Sequence, residues 1–82
     1  HLKLEVKGLA SNTISVHITS NEHEKMCDDR KNYRLCVVIN AATNPQMIVF
    51  IWDSTLKQWV SEDDSSIVLS IDMKPSYIAC VK

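Results

Sequence analysis

Glu5-Val6-Lys7, near the start of an 82-residue chain, sets a carboxylate and an ammonium two positions apart. Side chains alternate along an extended strand, so Glu5 and Lys7 share a face and the Val6 carbonyl lies between them. A carboxylate and a carbonyl oxygen suit a hard divalent ion such as Mg²⁺, which takes oxygen ligands and keeps several waters. A neighbouring lysine can position or activate water and offset charge building on a phosphate. The same spacing also describes an ordinary charged strand face, where exposed ion pairs contribute little.

Glu22 fits a helix cap: in Thr19-Ser20-Asn21-Glu22 the threonine hydroxyl accepts from the Glu22 N–H while the carboxylate reaches back. His17 shares the polar side of its strand with Ser15 and Thr19, from which it can approach Glu5 and Lys7 across a hairpin. Other constellations are poor. His1, His17 and His23 lack zinc-ligand spacing, His23 and Cys27 read as chance neighbours on a helix, and a single glycine, Gly8, forbids a phosphate loop. Trp52 reads as core or sheet-edge packing. Lys3, Lys7, Arg30, Lys31 and Arg34 read equally as one basic patch or as scattered surface charge.

The elements that must position these groups are legible from periodicity. Leu2, Leu4 and Val6 alternate with Lys3, Glu5 and Lys7, which predicts a half-buried strand with the apolar row inward. Gly8 to Asn12 reads as a turn, and Ile14, Val16 and Ile18 as a second strand pairing with the first in a hairpin. A helix is expected from Ser20 to about Arg30. Tyr33 to Ile39 is apolar on both sides and β-branched, as in a central strand covered on both faces. Asn40 to Pro45 is a turn, Met47 to Trp52 a strand, Leu56 to Val60 ambiguous, and 62–66 an acidic loop. Strands over Ile67 to Asp72 and Tyr77 to Val81 flank a break at Pro75. The helix is long enough to cross between strands 14–18 and 34–40, right-handed if they are parallel. The fold class is α+β (or α/β), one mixed sheet with one main helix in the order β-β-α-β-β-β-β.

Composition sets the bounds. With 45% apolar and 23% charged residues, a net charge of −1, one Gly and two Pro, the chain is neither disordered nor fibrous nor generally basic. No apolar run approaches membrane-spanning length, so no membrane is expected. Three cysteines without a C-x-x-C pair argue against a disulfide scaffold and point to a reducing compartment, cytoplasmic or nuclear.

Glu5-Val6-Lys7-Gly8, then Ile14-Ser15-Val16-His17-Ile18-Thr19, Asn21-Glu22, and Tyr33-Arg34-Leu35-Cys36-Val37-Val38 together resemble the PD-(D/E)xK nuclease superfamily. Within it, the chain looks most like the NO VEIN C-terminal domain family, over residues 4–52 and more weakly in the tail. The resemblance implies a restriction-endonuclease-like core and metal-dependent hydrolysis of DNA by a larger DNA-processing or defence protein. It implies Glu5 and the Val6 carbonyl as Mg²⁺ ligands, Lys7 as the catalytic amine, and Glu22, on the helix after the second strand, as an auxiliary that positions metal or water. It also implies an acid on a strand before this one and a helix before that. Only four residues precede Glu5 here, so residues 1–82 are expected to be either one domain or the C-terminal part of a larger nuclease-like domain. The competing expectation is a non-catalytic interaction module whose open sheet edge pairs with another chain, including a second copy as a homodimer.

Overall fold

The computed structural model describes residues 2–72 and 77–81; the Pro75 break lies outside them. The strands are β1 (Lys3–Gly8), β2 (Ser15–Ile18), β3 (Tyr33–Ile39), β4 (Gln46–Asp53), β5 (Gln58–Ser61), β6 (Val68–Asp72) and β7 (Tyr77–Val81), with helix α1 (Ser20–Asp28) and a 3₁₀ turn over Arg30–Asn32 between β2 and β3. They form one mixed sheet in the order β1-β3-β4-β5-β6-β7-β2, an α+β architecture as expected. The segment around Leu56 to Val60 resolves into a turn and β5.

The predicted hairpin does not form. β1 lies parallel to β3, and β2 lies antiparallel to β7, at the other end of the sheet. The crossover through β2 and α1 therefore joins β1 to β3, not β2 to β3. Residues 9–14 join these two ends, yet six residues reach at most about 20–22 Å. Seven flat strands would hold the ends roughly 29 Å apart, so the sheet must curl. The bond from the Asn40 N–H to the Ser11 carbonyl (3.0 Å) pins the linking segment to the end of β3.

Register assigns the faces. Tyr33, Leu35, Val37 and Ile39 of β3 share a side with Phe50 of β4, Trp59 of β5, Leu69 of β6, Ala79 of β7, and Val16 and Ile18 of β2. These residues and Met26 of α1 make up the core, so the helix covers this face. Met26 supplies the single buried side chain of α1, which is why the helical stripe looks thin in sequence. Cys36 of β3 is buried on the opposite face, against Val6 and Val49 in register.

β1 presents the reverse of its expected orientation. Lys3, Glu5 and Lys7 stand opposite Tyr33, Leu35 and Val37, on the covered face, while Leu2, Leu4 and Val6 point outward at 61%, 65% and 60% exposure. Alternation reveals two sides of a strand but not which is inside. At this edge the long lysine stems reach over the core and carry their charges to partners on the helix.

Gly8 needs none of its freedom: no glycine has positive φ, and a Cβ at Gly8 would meet nothing within 4 Å. The left-handed positions are Asn40 (φ 51°) and Lys57 (φ 54°). Asparagine tolerates that region, whereas lysine is strained there. Lys57→Gly is therefore expected to raise stability by up to about 1 kcal/mol, read from the urea midpoint. No gain would mean that the turn accommodates lysine without strain.

Candidate functional site

The charged rim of β1 is organised by the start of α1. Thr19 and Glu22 form the predicted capping box, with the Glu22 N–H donating to Thr19 Oγ1 (3.1 Å) and the Thr19 N–H donating to Glu22 Oε1 (2.9 Å). The same carboxylate accepts from Lys7 Nζ at 3.0 Å to each oxygen. Lys7 and Glu22 are both largely covered, so this pair ties the edge strand to the helix more firmly than a surface pair would.

Glu5 sits beside this pair. Its hydrogen bond with Glu22, then its partial burial and the negative charge of Glu22, push its carboxyl above the ordinary value. Glu22 is held down to about 2, first by the Thr19 N–H and then by hydrogen bonds from Lys7 and Glu5. Two carboxyls with diverging proton affinity thus lie next to one ammonium. Lys3, Leu4, Glu5, Lys25 and Tyr33 line an open pocket of about 330 Å³ alongside. Burial, with the charges of Glu5 and Glu22, pushes the Tyr33 hydroxyl up to about 12, so it stays a neutral donor.

The Val6 carbonyl points elsewhere. Leu9, directly after β1, turns both backbone groups toward β3: its N–H donates to the Val38 carbonyl (2.8 Å) and its carbonyl accepts from the Ala41 N–H (2.9 Å). Backbone groups of successive strand residues point to opposite sides in the sheet plane. Lys3, Glu5 and Lys7 therefore face β3, and Leu4, Val6 and Gly8 face the outer edge, on which the described residues place no strand.

Glu5, Lys7 and Glu22 are thus brought together, and His17 is not. His17 is exposed on the outer face of β2, in register with Ile78, opposite the covered face that holds Glu5 and Lys7. Its predicted approach depended on the hairpin. Lys25 and Tyr33 are additions of the fold. Lys25 lies three residues beyond Glu22, hence on the same side of α1, which is a signal the sequence already carried. Three of the other basic residues are engaged locally. Lys3 pairs with Asp29 (3.5 Å), the Arg30 guanidinium lies 4.5 Å from the Trp52 ring centre, and Arg34 donates to the carbonyls of Lys31 and Tyr33. Trp52 packs edge-on against Trp59 (5.4 Å), as a core residue does.

As a donor set, the Glu5 and Glu22 carboxylates are hard oxygens, the chemistry Mg²⁺ accepts, while the Val6 carbonyl faces away from them. Among the described residues no three or more His, Cys, Asp or Glu side chains converge on one point. Water would have to complete any such shell.

Fold and site define a small α+β domain with an acid–amine rim on one edge strand of a curled sheet. A family model described as Protein NO VEIN, C-terminal, matches residues 2–51, and the chain belongs to that family. The match runs from β1 through the capped helix and β3 into β4, and so includes Glu5, Lys7 and Glu22. No curated protein matches the chain, and no solved structure does. Among the described residues, no helix is long and apolar enough to cross a membrane, and Cys27, Cys36 and Cys80 are free thiols.

Proposed function

We propose that this chain is a nuclease-like domain of a larger DNA-processing or defence protein, acting on DNA in the cytoplasm or nucleus. The supporting observation is the meeting of Glu5, Glu22 and Lys7 at one rim, beside a pocket that also carries Lys3 and Lys25. Glu5 would hold Mg²⁺, with Glu22 as an auxiliary acid and water completing the shell; the outward Val6 carbonyl, the other expected ligand, stays out of it. Bound there, the ion would supply a water of lowered pKa and neutralise phosphate oxygens. The Lys7 ammonium would offset the charge growing on the phosphoryl group as water adds and the P–O bond breaks. The Glu22 carboxylate fixes where that ammonium sits, and Lys3 and Lys25 would receive the negative backbone.

In the full-length protein, Glu5→Gln and Lys7→Ala should each lower Mg²⁺-dependent DNA cleavage by about a hundredfold or more. In this chain, Mg²⁺ should shift the amide resonances of Glu5 to Lys7. Cleavage undiminished in both variants, or amides indifferent to Mg²⁺, would reject these roles.

A second reading rests on a different observation, the outward Leu2, Leu4 and Val6 row of β1, whose outer edge no described strand pairs. On that reading the chain is an interaction module whose partner adds a strand to β1.

A further inference from the structure

We infer that the strand added to β1 is β1 of a second copy of this chain, antiparallel to it, with Leu4 facing Leu4 on a two-fold axis. This rests on the second reading above and supplies its partner and register.

An added strand must meet Leu4, Val6 and the neighbouring even-numbered residues, because their backbone groups face outward. In an antiparallel pair, directly opposed residues alternate between hydrogen-bonded and non-bonded positions. Outward-facing residues of one copy must therefore oppose outward-facing residues of the other, which leaves few registers. With Leu4 opposite Leu4, Leu2 falls opposite Val6 on both sides of the axis. The three exposed apolar side chains of each copy then cover one another on the outer face. On the covered face, Lys3 of each copy falls opposite Glu5 of the other. These are non-bonded positions, where Cβ atoms lie about 4.5–5.5 Å apart and opposite charges attract.

The neighbouring registers are worse. Setting Leu4 opposite Val6 aligns Glu5 with Glu5 and Lys3 with Lys7, so every charged pair is a like pair. Setting Val6 opposite Val6 does align Glu5 with Lys7, but it spends Leu4 on Gly8 and competes with Glu22 for the Lys7 ammonium. Lys3 and Glu5 are freer. The Asp29 partner of Lys3 is 3.5 Å away in an exposed pair. Among the described residues, the hydrogen-bonding neighbour of Glu5 is another carboxylate.

Sedimentation equilibrium of this chain at low salt, from roughly 10 μM to 1 mM, spans the affinities of so small an interface. A monomer–dimer equilibrium is expected. Lys3→Glu and Glu5→Lys should each weaken it by about tenfold or more, since two symmetric attractions become repulsions, and the double reversal should restore it. Leu4→Pro should abolish the dimer while sparing the β1–β3 ladder, because it removes only an outward N–H. Amide exchange at Leu4 and Val6 separates the failures. A monomer with rapid exchange there leaves the edge open to a different partner and refutes the second copy. A monomer with both amides protected shows the edge already closed, refuting both the second copy and the second reading. A dimer indifferent to Leu4→Pro and to both charge reversals uses another surface and refutes the register.

Discussion

Phe50→Ala is expected to cost about 3–5 kcal/mol, the range for emptying a buried aromatic site. Phe50 is wholly buried in β4, aligned with Leu35 on one side and Ser61 on the other. Strands β3 and β5 hold its backbone in place, so the sheet cannot close around the lost ring. A domain of this size has on the order of 4–12 kcal/mol in total. The variant should melt about 15 °C or more below the parent, and a weakly stable parent would lose its cooperative transition. Val6→Ala removes a smaller apolar group, two carbons, from an exposed position and should change stability by less than about 0.5 kcal/mol in the monomer. Urea unfolding of dilute samples measures both. Near-equal effects would contradict the assignment of faces.

The second expected result concerns Glu22, which caps α1 and holds Lys7 with one carboxylate. Glu22→Ala removes both functions and should cost about 1–2 kcal/mol near neutral pH. Glu22→Gln keeps the capping geometry, since glutamine also serves at that position, but loses the charge. Its pH profile is diagnostic. The Glu22 carboxyl lies at about 2 in the fold against 4.5 as an ordinary carboxyl. As pH falls, the unfolded chain therefore takes up its proton first, and the stability contributed above 4.5 is lost between 4.5 and about 2. Glu5 works in the opposite sense. Its raised carboxyl favours the fold while protonated, and that contribution disappears as pH rises through its folded value. The urea midpoint of the parent should fall from pH 4.5 to 2 more steeply than that of Glu22→Gln. Parallel profiles would show that Glu22 is not held in its charged form.

How far the sequence foretold this arrangement depends on the range of the interactions. The strands over Tyr33–Ile39 and Tyr77–Val81 and the capping box were legible because each rests on residues a few positions apart. The pairing of β1 with β3 was not. Adjacent strands divided by a short turn usually pair, and only the whole curled sheet gives β2 a better partner in β7. The facing of β1 failed for a related reason. Hydropathy favoured the Leu2, Leu4 and Val6 row, but at a sheet edge the lysine stems and the Glu22 partner made the charged row the covered one. At the candidate site, Glu5 and Lys7 were found by spacing and Glu22 by its capping pattern. That Glu22 meets Lys7, fifteen positions away, required the three-dimensional path between them. Lys25 could have been found from its place three residues beyond Glu22, whereas Tyr33 joins the site only because β3 runs beside β1.

The antiparallel seam between β2 and β7 has a consequence for how the molecule is made. Ser15 and Cys80, cross-strand partners in that seam, are separated by 65 positions, and pairings so distant close slowly. At about 5–20 residues per second of synthesis, β7 leaves the ribosome roughly 2–8 s after β3. In that interval Val16 and Ile18 belong to a strand without a neighbour, and the nascent chain resembles an unclasped bracelet. A chain that stops short of β7 would be an adhesive intermediate instead of a slightly shortened fold, so the five residues of β7 govern whether the first half stays free of other chains.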